Sequence, residues 1–572
     1  MVENPGRGIL MRKKTKIVWR VIGIVFGVIL IAGGIVLLSN LGFLKSLNRA
    51  QKGDERLRQG TADFEYVERH LTKEQMLEDF DYMYTVLCKT SLVTADTERI
   101  YGVDYDEIYN RYRERVENCK DEYEFEAIMV AFTAKMPGKH VSICPSTNNI
   151  YAYSGMGFHC DSEAGYNDVM ETNYSFWVQN KDRMLSYNQK FSLATYYDGD
   201  YVLQDKDIGT GVVEDVVGAR ILTIDGESPK TKIKDLDFYL HWDYDSTHEC
   251  VFVKNLYFND GIGEKYAVEI EYPDGTTAVK DLYISAEYNM MVLNRSKFYP
   301  EEAAPMEESA EAETPAATGP VRHYTIDERP EKNLVVITID SCKTNEVEAV
   351  YNDLTQALEN VNAERVIIDN RSNSGGDPDF VTKGVLKALL QGKHGGLYYN
   401  KTPYNDLTKV LFANQLFFTK TGKWNTNTYE DCGDYARYAC DFNVDGQATK
   451  KYDITVITSH TTFSSGDILT ALLKGMDNVT VIGENTKGEG LCGDPICYYL
   501  PNSKMVFVGL CGVSEVNPLN NVTGTEPDVY IGNGWKEVLA AREYLLEHGQ
   551  ESQYNFDDKL QYDKVLRYAY EN

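Results

Sequence analysis

An α/β fold, a mixed sheet with flanking helices, is predicted for residues 321–550 by three observations. Short runs dominated by apolar and β-branched residues recur at Leu334–Ile339, Arg365–Asp369, Ile454–Thr458 and Val479–Ile482. Strands buried on both faces read this way, whereas strands with one wet face alternate. Helical stretches at Glu346–Leu358 and Asp467–Lys474 fall between these runs, and such alternation describes βαβ crossovers in a parallel sheet. Two polar loops, Asp369–Asp377 (DNRSNSGGD) and Ser459–Asp467 (SHTTFSSGD), follow the ends of two runs, and the second opens directly into a helix.

The remaining elements follow in chain order. Residues 1–20 form a basic stub with six Lys/Arg and one Glu, and residues 21–38 are an uncharged apolar stretch, VIGIVFGVILIAGGIVLL. At 1.5 Å per residue that stretch approaches the apolar thickness of a bilayer, and the basic flank places the amino terminus on the cytoplasmic side. The expectation is one transmembrane helix at a cell membrane, with the body exported. Residues 65–145 read as a helical cap. Met76, Phe80, Met83 and Leu87 share one helical stripe behind a Thr72/Gln75 capping box; Ile108, Tyr112 and Val116 share another; Phe125 to Met136 make a third that Pro137 and Gly138 end. His140 follows that stop. Residues 150–290 are β-rich, with Ala267–Tyr272 and Thr277–Ile284 joined at Pro273–Gly275. Residues 299–320 collapse to an acidic, Ala-rich composition that buries too little apolar surface to offset its ordering entropy, so a mobile loop is expected. Trp535–His548 supplies a terminal helix.

Composition removes several function classes. A formal charge of -29 over 572 residues lacks the basic footprint that phosphate backbones require, so no nucleic-acid partner is expected. Eleven cysteines spread over the chain form neither a dense disulfide framework nor the paired spacing of a zinc site, and no metal is expected. Gly488–Gly493 fits G-x-G-x-x-G, but Pro495 follows where a helix should open, which argues against a dinucleotide cofactor. Phe463-Ser464-Ser465-Gly466 lacks the first glycine of the α/β-hydrolase nucleophile elbow. No cofactor is expected.

Ligands of open α/β sheets collect at the carboxyl ends of the strands, where the two polar loops should meet. A serine at a helix start is placed for acyl transfer, because unpaired N–H groups and the positive end of the helix dipole stabilise an oxyanion. Ser464 and Ser465 hold that position; the alternative is an ordinary N-cap serine. Gly375 and Gly376 favour the chemical reading, since paired glycines let a backbone approach a substrate carbonyl.

VIIDNRSNSGG (366–376), TTFSSGDILTALLKG (461–475), VIGENTKGEG (481–490) and GTEPDVYI (524–531) resemble, in that order, the core of the tail-specific (C-terminal-processing) serine peptidases. The resemblance implies a polypeptide substrate, Ser464 as nucleophile, Ser465 as one oxyanion donor and a glycine of the Gly375–Gly376 pair as the other. Gly218–Gly226 looks like part of that family's PDZ-type module, and the helices before His140 are similar to its amino-terminal cap. The chain departs from the Ser–Lys branch, because Glu489 stands where that branch has its lysine. It is closer to the tricorn-like and retinoid-binding-protein-like branch, whose cap carries Asp-Gly-His-Thr; here the residues are Gly138-Lys139-His140-Val141. That likeness implies His140 as general base. Glu489 is the first candidate to orient it and Asp467 the second, while Asn521 occupies the place of that branch's glutamate. His460 reads as a strand-end residue. A catalytically inactive, peptidase-like binding or scaffold protein using the same cleft is the alternative function.

Overall fold

The computed structural model describes residues 70–144, 191–203, 217–237, 241–259, 261–287, 322–403, 430–491, 496–509, 512–549, 553 and 555–572. The stub 1–20, the apolar segment 21–38 and the acidic segment 299–320 lie outside these. Among the described residues no helix is long and apolar enough to cross a membrane.

The cap begins with α1 (Lys73–Tyr84), which carries the expected capping box: the Thr72 hydroxyl accepts from the Gln75 N–H and the Gln75 side chain reaches back. α2 (Tyr105–Asn118) and α3 (Glu122–Thr133) start at Asp104 and Asp121, whose carboxylates accept backbone N–H bonds of the first turn. Their stripes meet: Phe80, Tyr112, Val116 and Phe132 are buried, and the Phe80 and Phe132 rings lie 4.7 Å apart. Truncating a phenyl so packed costs about 3–5 kcal/mol. A further helix, Thr94–Tyr101, was not anticipated. Past α3 the chain runs through Gly138 (φ +94°) and His140 into β1 (Ser142–Cys144), which pairs antiparallel with Val506–Gly509. That pairing carries the end of the cap onto the second half of the chain.

The β-rich region contains β2 (Phe191–Tyr197), β3 (Asp200–Leu203), β4 (Arg220–Ile224), a hairpin of β5 (Asp243–Asp245) and β6 (Cys250–Phe252), then β7 (Asn255–Asn259), β8 (Glu264–Glu271) and β9 (Thr277–Ile284). The β8–β9 turn falls at the predicted Pro273–Gly275. Six of these strands close into a barrel of order β2-β3-β4-β8-β9-β7, with the β5–β6 hairpin standing outside it. Gly218–Gly226, expected to belong to a PDZ-type module, supplies β4. Peptide capture by strand addition needs an open edge, and a closed ring presents none, so the barrel lends that expectation no support.

The second half of the chain is built on a six-stranded sheet. β10 (Tyr324–Arg329) runs antiparallel at one edge; β11 (Leu334–Ile339), β12 (Arg365–Asp369), β13 (Asp453–Thr458), β14 (Val479–Gly483) and β15 (Val529–Tyr530) are mutually parallel in that order. The crossover helices α4 (Val347–Asn360) and α5 (Ser465–Leu473) lie where the pattern put them. One face of the sheet, with Val335, Ile337, Val366 and Ile454, packs on these helices. The opposite face, with Leu334, Val336, Ile367, Ile457 and Ile482, is covered by α6 (Phe556–Tyr562) and α7 (Lys564–Glu571) through Phe556, Val565, Leu566 and Ala569. The core therefore extends past residue 550, the boundary read from the sequence. A strand buried on both faces requires a cover on both, and the second cover is this carboxyl-terminal pair.

Candidate active site

Three loops at the carboxyl ends of the parallel strands converge, and the loop from the cap joins them. After β13 the chain turns through Ser459–Phe463 into α5. The turn is held by hydrogen bonds to both neighbours: the Phe463 N–H donates to the Asn373 carbonyl at 2.9 Å, the Thr462 hydroxyl to the Asn370 carbonyl at 2.9 Å, and the Ser464 N–H to the Gly488 carbonyl at 3.0 Å. This lattice forces Ser464 to φ +54°, ψ −120°. A non-glycine residue held there stores about 1–3 kcal/mol, and such strain concentrates at functional sites. Its hydroxyl caps no N–H of the helix, so the N-cap alternative fails.

Gly375 has φ +96°, and a Cβ there would come within 2.7 Å of Ser464 Cβ and 2.8 Å of the Phe463 carbonyl. The strand-end backbone thus touches the serine directly, a closeness only glycine permits. Gly376 (φ +135°) lies against the Cys342 carbonyl, and its own carbonyl accepts from Ser465 Oγ at 2.6 Å. The Gly375 N–H is already given to Asn373 Oδ1 at 3.0 Å. Ser465 opens α5, and the first N–H groups of a helix have no partner inside it.

His140 comes from the cap. Its Nδ1 bonds Glu489 Oε2, which also accepts the His140 N–H at 2.8 Å, while Glu489 Oε1 accepts the Lys139 N–H at 2.5 Å. The imidazole packs on the Phe463 ring with centroids 4.4 Å apart, beside Ser464. Glu489 is 2% exposed. Burial alone would push its carboxyl up, but the His140 charge and hydrogen bond, with the Lys139 N–H, hold it below the usual glutamate range.

The second orienting candidate does something else. Asp467, fully buried, accepts from Thr486 Oγ1 at 2.6 Å, the Gly490 N–H at 3.0 Å and Asn520 Nδ2 at 2.9 Å, and so clips the loop after β14 to α5 rather than meeting His140. Asn521 donates to the Gly512 carbonyl at 3.4 Å. His460 is buried, its ring 4.8 Å from that of Phe252 and its Nε2 3.5 Å from Asp245 Oδ2, which makes it a packing residue against the hairpin.

Several members of the site carried no sequence signal. Asn373 orients the glycine loop, and Phe463 supports the imidazole. Lys139, adjacent to His140, is 5% exposed, and nothing in a sequence announces a buried lysine, because lysine is almost never fully buried unless paired. His241 lies near enough to respond to the charges of Lys487, Asp243, Glu489 and His140; burial first, then Lys487, push it down to about 4. Among the described residues no group of His, Cys, Asp and Glu is assembled to hold a metal ion.

Residues 333–530 match peptidase family S41. The chain carries an S41 peptidase domain. That domain runs from β11 to β15 and contains Gly375, Gly376, Ser464, Ser465 and Glu489, whereas His140 and the barrel precede it and α6 and α7 follow it. No curated protein matches the chain. Among solved structures it is similar to mature CPAF complexed with lactacystin, at 13% identity over 83% of this chain and 97% of that one, TM-score 0.46. It is similar also to the photosystem II D1 C-terminal processing protease, at 13% identity over 81% and 93%, TM-score 0.32. Tricorn protease is matched at 14% identity over 83% of this chain and 36% of that one, TM-score 0.27.

Proposed function

We propose that the chain is a serine-type endopeptidase in which Ser464 is the nucleophile, His140 the general base and Glu489 the carboxylate that orients it. The observation carrying this reading is the His140–Glu489 pair set against Phe463, one residue before the strained serine. With Nδ1 committed to Glu489, Nε2 is the nitrogen that exchanges a proton with Ser464 Oγ. Oγ attacks the peptide carbonyl carbon and its proton passes to Nε2. The oxyanion is held by the N–H groups of Ser465 and Gly376, because the Gly375 N–H serves Asn373. The proton then goes to the leaving amine as the C–N bond breaks, and water, losing a proton to Nε2, hydrolyses the acyl-enzyme. Glu489 stabilises the transient imidazolium in a buried setting, where a paired charge counts for more than in water.

Residues 21–38 anchor the chain in a cell membrane with the stub 1–20 inside and the catalytic domain on the extracytoplasmic face; the basic flank supports this orientation. The test is cleavage of an unstructured polypeptide by the full chain. Wild type is expected to release fragments and Ser464→Ala none; intact substrate with wild type at every pH leaves the inactive, binding-protein reading.

A further inference from the structure

The β5–β6 hairpin stands outside the barrel and reaches into the catalytic loops, and its first residue, Asp243, is a carboxylate only 3% exposed. Its two oxygens face two lysines from different loops: Oδ2 lies 3.1 Å from Lys487 Nζ and Oδ1 3.7 Å from Lys139 Nζ. Lys139 Nζ in turn donates to the Lys487 carbonyl at 2.6 Å. Each lysine is one residue from a working part of the site. Lys139 precedes His140 and gives its own N–H to Glu489. Lys487 precedes Gly488, whose carbonyl receives the Ser464 N–H, and its N–H is given to the Thr462 carbonyl at 2.8 Å. The hairpin itself is fixed, because Asn485 Nδ2 donates to the Tyr244 carbonyl at 3.0 Å and Asn485 Oδ1 accepts the Ser246 N–H at 3.3 Å.

We propose that Asp243 is a positioning residue of the Ser464–His140 centre: it ties the loop bearing the base to the loop bearing Glu489 and supplies the charge that keeps their two lysines compensated. The inference rests on the assignment of His140 as base. Its physical content is a charge count. Asp243, Glu489, Lys139 and Lys487 sum to zero when His140 is neutral, and the cluster gains a single positive charge when His140 takes a proton from Ser464. Without Asp243 these groups already carry that charge, and the imidazolium must form beside a cluster in which Glu489 compensates only one of the two ammonium groups. The other titratable groups facing the cluster are His241, just before the hairpin, and Tyr101 from the cap, which respond to Asp243 and Glu489; Asp467 from α5, whose charge acts on Lys139; and Tyr201 and Lys254 from the β-rich region, which respond to Asp243.

The test is the pH dependence of the rate at which a fluorophosphonate labels the full chain, compared among wild type, Asp243→Asn and Lys487→Met, with thermal unfolding recorded for each. Asp243→Asn is expected to lower the plateau about tenfold and to move the acid limb down by roughly half a pH unit, since added positive charge makes the imidazole a weaker base. Lys487→Met, which removes a cation, moves the acid limb up. Opposite displacements are the signature that a merely structural role does not give. If both variants unfold cooperatively and follow the wild-type profile, the inference is overturned while the catalytic assignment stands. Should Asp243→Asn fail to fold, Lys487→Met decides alone: an upward shift supports the inference and an unchanged limb overturns it. A wild type that takes no label at any pH removes the catalytic assignment and this inference with it.

Discussion

Two buried carboxylates stand side by side in the candidate site and are used in opposite ways. Asp467, in the first turn of α5, is surrounded by neutral donors: a hydroxyl, a backbone N–H and a side-chain amide. Glu489, in the loop after β14, faces an ionisable ring and two backbone N–H groups. The loops touch, for Gly490, the residue after Glu489, gives its N–H to Asp467. A carboxylate among fixed neutral donors is a clip whose hydrogen bonds do not change when a proton moves nearby. A carboxylate bonded to an imidazole gains interaction when the ring becomes charged, which is when the transition state needs it. Chemistry is thus assigned by the partner that the fold delivers, not by the residue type.

The comparison is sharpened first by Glu489→Gln. It keeps the volume and one acceptor but removes the charge facing Nδ1, and kcat should fall by about 10³-fold with little change in KM. A loss below tenfold would return Glu489 to the role of clip. Asp467→Asn should reverse the pattern. It leaves one acceptor for three donors, and urea unfolding should show a loss of about 1–3 kcal/mol, while the folded fraction keeps the wild-type pH profile. An altered acid limb in Asp467→Asn would erase the distinction between the two residues. The smallest effect concerns acid stability. Glu489 is held below its ordinary value of 4.5 in the folded chain. A depressed carboxyl contributes stability that is complete above the unfolded value and lost as pH falls through the folded one. Wild type should therefore lose stability with falling pH below 4.5 more steeply than Glu489→Gln, as read by denaturant midpoints across that range.

Much of this was legible in the sequence, for reasons that differ from one residue to the next. Four of the parallel strands, β11 to β14, announced themselves because their central residues are buried on both faces, which leaves no alternation to confuse the reading; the two-residue β15, not buried, did not. Ser464 and the glycine pair were legible because a helix start and a strand-end loop are local features whose order in the chain matches a family pattern. His140 and Glu489 were named only through that resemblance, since their meeting depends on β1 pairing with Val506–Gly509, a contact no local pattern encodes. The roles of Asp467 and Glu489 could not be separated from sequence, because both are acidic residues near the same loops. α6 and α7 were missed because they are short, with only Phe556, Val565, Leu566 and Ala569 to mark a buried face. Asp243 and Lys139 were missed because charged residues are expected on surfaces, and their burial is tolerated only by their pairing.

The central claim is that a strained serine at the start of α5 is activated by a histidine contributed by the cap. The most direct measurement is fluorophosphonate labelling of the full chain, with the modified peptide identified by mass spectrometry, for wild type, Ser464→Ala and His140→Ala. The account predicts a single label on Ser464 in wild type, none in Ser464→Ala, and a rate reduced by about 10²-fold or more in His140→Ala. A label on another serine, or a His140→Ala variant that reacts as fast as wild type, would contradict it.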